Sequence, residues 1–148
     1  MTTTLTAYLI DPEACLIRPT EMQSLNNSLI ADVIDCDAAD FLMFDTVHSL
    51  YFDDTGLRNG LTHYMMLQGH ADPLAGKMLL VRNAGPQPAI SMQEVAARIS
   101  LFKPVLDPVI VTKCIEHDDV SYHVSAVEEF KPRLELFVLT IEDYSMAD

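Results

Sequence analysis

Two carboxylates, a hydroxyl and a glycine end an apolar run in Tyr51-Phe52-Asp53-Asp54-Thr55-Gly56. Asp54-Thr55-Gly56 is the tripeptide that carries the catalytic carboxylate in acid proteolysis, where two such Asp residues share a proton. That chemistry needs apolar residues just before the Asp, to bury the strand beneath the pair. It also needs a later apolar-apolar-Gly segment. Asp53 occupies the first place with a second charge, and Leu74-Ala75-Gly76 is a poor version of the second. Adjacent like charges suit a solvated turn, so the stretch reads as a strand, Val47–Phe52, running into a turn whose glycine supplies a left-handed residue.

Imidazoles and carboxylates also cluster in sequence. Asp45, His48, Asp53 and Asp54 form one set, His63, His70 and Asp72 a second, and Glu116, His117, Asp118 and Asp119 a third. Both side-chain types ligate divalent cations. None of the sets has a spacing such as His-Glu-x-x-His, so no metal site is assigned. His48, Tyr51, Asp53, Asp54, His63 and His70 are retained as candidate ligand or interaction residues. No Gly-x-Ser-x-Gly and no phosphate-cradling glycine loop occurs among only five glycines, so no cofactor is expected. Cys15, Cys36 and Cys114 are too far apart for a zinc finger and are expected to be reduced, buried thiols.

The net charge of −13 is unevenly spread. Residues 1–60 carry ten acids against Arg18 and Arg58, and residues 101–148 carry ten acids against four bases. This sign disfavours direct nucleic-acid binding, which draws on phosphate contacts, and suits a basic protein partner. No apolar run approaches the ~20 residues of a membrane span. Met1-Thr2-Thr3-Thr4-Leu5 lacks the basic start of a signal peptide. The expectation is a cytoplasmic protein.

The elements that must position these residues read as α+β. Leu5–Ile10 and Cys15–Ile17 form a hairpin ended by Arg18-Pro19. Thr20 caps a short helix over Glu21–Leu29, weakened by Asn26-Asn27, and Ile30–Cys36 is a strand. Arg58-Asn59-Gly60 is a turn and Leu61–Leu67 a helix. Lys77–Arg82 is a central strand. Asn83-Ala84-Gly85-Pro86-Gln87-Pro88 is a linker. Ser91 and Glu94 start a helix with Met92, Val95, Ala96, Ile99 and Phe102 as its apolar stripe, ended by Pro104. Val109–Ile115, Val120–Ala126 and Leu134–Glu142 then form a three-strand meander. The expected architecture is a mostly antiparallel sheet with two or three helices. It consists of an N-terminal subdomain, 1–85, and a helix with the C-terminal meander, 89–148, sharing one compact unit hinged near 83–90.

Leu9-Ile10-Asp11-Pro12, Tyr51-Phe52-Asp53-Asp54-Thr55-Gly56-Leu57 and Gly76-Lys77-Met78-Leu79-Leu80-Val81 together resemble a family of small domains of unknown function from phages, plasmids and other mobile elements. The resemblance spans residues 5–82. It implies a phage or mobile-element origin and carries over no catalytic residue. The functional expectation is a non-enzymatic protein acting through protein–protein contacts, with homodimerisation left open. One alternative is a metal-dependent hydrolase or other enzyme using the Asp53/Asp54 turn. Another is an acidic DNA-mimic inhibitor, whose carboxylates would form a ribbon of phosphate-like spacing.

Overall fold

A computed structural model describes residues 4–58 and 63–142. Strands β1 (Leu5–Asp11) and β2 (Leu16–Met22) form the expected hairpin, with Leu5 opposite Met22 and Asp11 opposite Leu16. Asp11 Oδ1 accepts from the Ala14 N–H, and Cys15 turns the chain at φ 57°. β2 does not stop at Arg18-Pro19. Pro19 sits opposite Tyr8, and among the described residues the outer side of β2 is paired only at Leu16 and Ile17, so Pro19 breaks no ladder there.

The helix expected over Glu21–Leu29 lies instead at α1 (Asn27–Val33). Pairing with Ala7, Thr6 and Leu5 keeps Thr20, Glu21 and Met22 in the strand. Asn26, read as a weakness, is the cap, and its side-chain oxygen accepts from the Leu29 N–H at 2.8 Å. The strand expected from Ile30 is therefore helical through Val33, and Ile30 and Ile34 face the core. Asn26→Ala is expected to lower stability by about 1 kcal/mol, read from the urea midpoint.

β3 (Ala39–Met43) and β4 (His48–Asp53) pair antiparallel, and a 3₁₀ turn spans Gly56–Arg58. The helix expected over Leu61–Leu67 is strand from Tyr64 onward. In β5 (Tyr64–Leu67), Met65 and Leu67 are buried and alternate with half-buried Tyr64 and Met66, a period of two rather than 3.6. Asn59, Gly60 and Leu61 lie outside the described residues. β6 (Leu74–Ala75) pairs with β5. β7 (Met78–Arg82) is the central strand expected, and its unbroken Met-Leu-Leu-Val run is buried on both faces.

Ser91 caps α2 (Met92–Ala97) by accepting from the Glu94 N–H at 3.1 Å, as its spacing predicts. The helix ends earlier than its apolar stripe. Ile99 and Phe102 belong to β8 (Ile99–His117), where Phe102 pairs with Tyr64 and their rings stack at 6.2 Å. Pairing with β5 outweighs the helical pattern. The C-terminal meander is replaced by two long strands, β8 and β9 (Val120–Phe137), and a short β10 (Thr140–Ile141). Lys131-Pro132 does not turn the chain, because β9 runs through it at an edge. Leu139 is buried in the core, and β10 leaves to pair parallel with β2.

The strands form a six-stranded sheet, β10-β2-β1-β7-β4-β3, and a four-stranded sheet, β6-β5-β8-β9. Alternation sorts the larger sheet into two faces. Ala7, Leu9, Leu79 and Val81 meet Ile30 and Ile34 of α1 and its cap. Ile10, Ile17, Leu50, Met78 and Leu80 meet Met65, Val95 and Leu101 from the other sheet and α2. The fold is thus α+β and mostly antiparallel, with two helices among the described residues.

Two compact units result, Met1–Lys103 with Leu136–Asp148, and Pro104–Glu135. The division does not fall at residues 83–90. That proline-rich stretch is tied into the first unit by hydrogen bonds, including that from the Asn83 N–H to the Val47 carbonyl at 2.9 Å. The Pro86 carbonyl accepts from the Thr6 N–H at 2.8 Å, the Ile90 carbonyl accepts from the Tyr8 hydroxyl at 2.7 Å, and the Ala89 N–H donates to His48 at 2.9 Å.

Candidate functional site

His48 opens β4 and is 1% exposed. Its Nδ1 lies 2.9 Å from Asp45 Oδ1 and 3.0 Å from Oδ2, and its Nε2 accepts from the Ala89 N–H. A nitrogen that accepts a backbone N–H bears no proton, so the imidazole is the neutral tautomer with its proton on Nδ1. Asp45 also accepts from the N–H groups of Val47 (2.9 Å) and His48 (2.8 Å). An Asp–His pair of this kind resembles half of a catalytic relay. Acid–base catalysis would require Nε2 to reach a substrate. That nitrogen is buried and engaged by backbone, so the pair acts as a clip joining the β3–β4 turn to the 83–90 stretch.

Burial works against the charge of Asp45. The Val47 N–H, the His48 ring and the His48 N–H outweigh it and hold the carboxyl below its usual range. A lowered folded pKa adds stability above the unfolded value, about 3.9, that disappears as pH falls through the folded value. Urea midpoints of the wild type should therefore drop more steeply below about pH 4 than those of Asp45→Asn.

Asp53 ends β4 and is buried, its Oδ1 accepting from the Thr55 N–H at 3.0 Å and the Thr55 hydroxyl at 3.2 Å. Asp54 is exposed, and its N–H donates to the Ala38 carbonyl at 3.1 Å. Gly56 does not adopt a left-handed conformation. Its need is space, since a Cβ there would lie 2.5 Å from the Ala75 carbonyl oxygen. Left-handed glycines occur instead at Gly69 and Gly76.

The remaining candidates do not converge on this turn. His48 and Asp53 stand at opposite ends of β4 and, five residues apart, on opposite faces, roughly 17 Å along the strand. Tyr51 shares the α1 face and packs on Phe41 with ring centroids 5.5 Å apart. His63 is half-buried just before β5, and His70 is half-buried after it, its N–H donating to the Leu67 carbonyl. Among the described residues, no three His, Cys, Asp or Glu side chains are grouped so as to hold a metal ion. Cys15 and Cys36 are half-buried, and Cys114 is exposed rather than buried. Burial first, then the nearby Asp53 charge, raises the Cys36 thiol pKa.

The unit Pro104–Glu135 has a different character. It is a two-stranded ribbon whose tip, Asp118-Asp119, takes φ 51° and 62°. Thr112 and Ser125 share a hydroxyl hydrogen bond of 2.8 Å across it, and Arg133 pairs with Asp107. Large apolar side chains stand in solvent along it, Leu106 at 64%, Ile110 at 61% and Phe130 at 58%. One face carries an open groove of about 220 Å³ lined by Val111, Lys113, Ile115, Val124, Ala126 and Glu128. The alternation of Val120, Tyr122 and Val124 was legible in the sequence as one buried face. In the structure Val120, Tyr122 and Val124 are about half exposed instead.

No family model matches the chain. It is 36% identical over 111 residues to the uncharacterized protein y4iR of Sinorhizobium fredii, covering 72% of this chain and 69% of that protein. The chain belongs to the y4iR family. Protein PsiB of Rhizobium leguminosarum bv. phaseoli is 36% identical over 97 residues, 62% of this chain and 72% of its own length. No solved structure matches. Within this y4iR-family chain, no helix among the described residues is long and apolar enough to cross a membrane.

Proposed function

We propose that the protein is a non-enzymatic binding protein that works through protein–protein contacts made by the Pro104–Glu135 ribbon. The observation that carries this reading is the exposure of Ile115, Val120, Tyr122 and Val124 on the groove side of this two-stranded ribbon. Such contiguous apolar exposure marks interaction surfaces. A two-stranded ribbon is marginal in water without a hydrophobic partner. The buried, backbone-bound Nε2 of His48 and the separation of His48 from Asp53 count against the hydrolase reading. The mimicry reading requires carboxylates to dominate a face, whereas those of the ribbon are interleaved with these apolar side chains.

The test is affinity capture from native cell extract by the full chain and by its Tyr122→Glu/Val124→Glu variant. Proteins held by the wild type should be absent from the variant's eluate while the melting temperature is unchanged. Equal capture by both chains would place the contact surface elsewhere and defeat the reading.

A further inference from the structure

We propose that the Val111–Ile115 face of the ribbon seats a second copy of this chain, making the protein a homodimer. The inference rests on the contact reading above and names its partner.

Charge complementarity singles out a second copy. The groove is apolar apart from one cation, Lys113, and one anion, Glu128. The Thr112–Ser125 hydroxyl bond aligns the two strands, so Lys113 lies two residues toward the tip from the Val111–Ala126 level and Glu128 lies two residues toward the base, on the other strand. A second ribbon laid face to face, its chain direction reversed about that level, sets each Lys113 beside Glu128 of the other copy. The same operation stacks Val111 and Ala126 on their counterparts. A two-fold contact requires such a self-complementary patch.

The available area is sufficient. Strands of about 15 residues rise roughly 50 Å and two span roughly 10 Å, so one face offers about 500 Å². Two faces together bury about 1,000 Å², the lower bound for a specific interface.

The experiment is sedimentation velocity on the full chain from about 1 to about 100 µM, with four proteins. The wild type should be dimeric. Lys113→Glu and Glu128→Lys should each weaken the dimer about tenfold, since each sets like charges together. The double variant should return to within about threefold of the wild type, because the pairs are restored in the opposite sense. Both positions are on the ribbon surface, and equal far-ultraviolet dichroism confirms folding. A wild type monomeric at every concentration, or single variants that dimerise like the wild type, overturns the inference. A monomer whose Tyr122→Glu/Val124→Glu variant still loses a captured protein leaves the contact reading standing and refutes only the second copy. A monomer whose capture is unaffected by that variant refutes both.

Discussion

Replacing His48 with leucine is expected to lower stability by about 2–4 kcal/mol, although leucine is similar in size and more apolar. The imidazole satisfies Asp45 on one side and the Ala89 N–H on the other from a nearly water-free position. Leucine leaves the amide without its acceptor and the carboxylate without its closest side-chain donor. The melting temperature should fall by about 5–15 °C. Native-state hydrogen exchange at the Ala89 amide should accelerate more than at the amides of the central strand β7. This pattern separates a clip from a catalytic base, whose loss would spare both stability and exchange. An unchanged Ala89 exchange rate in His48→Leu would contradict the hydrogen bond on which the clip depends.

The second large effect belongs to Gly56. Alanine is the smallest possible addition, yet its Cβ would meet the Ala75 carbonyl oxygen at 2.5 Å and its carbon at 3.2 Å. Both are backbone atoms of β6, a two-residue strand whose side chains are buried. They cannot rotate away as a side chain would, so either the Gly56–Arg58 turn or β6 must shift. Gly56→Ala should therefore lower stability by about 2–3 kcal/mol, with valine worse. The neighbouring Asp54→Asn should stay within about 0.5 kcal/mol, because Asp54 is exposed and holds Ala38 through its backbone N–H. Chemical denaturation of the three variants checks the contrast. A tolerated Gly56→Ala would mean that β6 does not pack as closely as described.

These two residues also show how far local pattern carries. His48 was a candidate for its chemistry, and Asp45 stood beside it in the same sequence cluster. The third member, Ala89, is a backbone amide 41 residues away, and no side-chain motif announces it. Gly56 was assigned to a turn for the wrong reason, conformational freedom, whereas close approach of a distant strand requires it. The 83–90 stretch has the composition of a linker, but hydrogen bonds at Asn83, Pro86, Ala89 and Ile90 tie it to Val47, Thr6, His48 and Tyr8, which composition cannot encode.

The sequence by itself determined the locally coded features. The Asp11-Pro12 hairpin, the Ser91 cap and the unbroken apolar run of β7 all follow from dihedral preference, side-chain capping and periodicity within a few residues. Its acidity and the α+β class followed in the same way. Only the tertiary structure decided the rest. Whether Thr20–Met22 and Tyr64–Leu67 are helix or strand depended on which neighbour supplied a ladder, and β1 and β8 supplied it. Whether the alternating residues 120–126 face a core depended on what lies over them. After β9, Leu139 is buried in the core and β10 pairs parallel with β2 rather than extending an antiparallel meander. Pairing and burial join residues far apart in sequence, and short-range propensity is too weak to outweigh them.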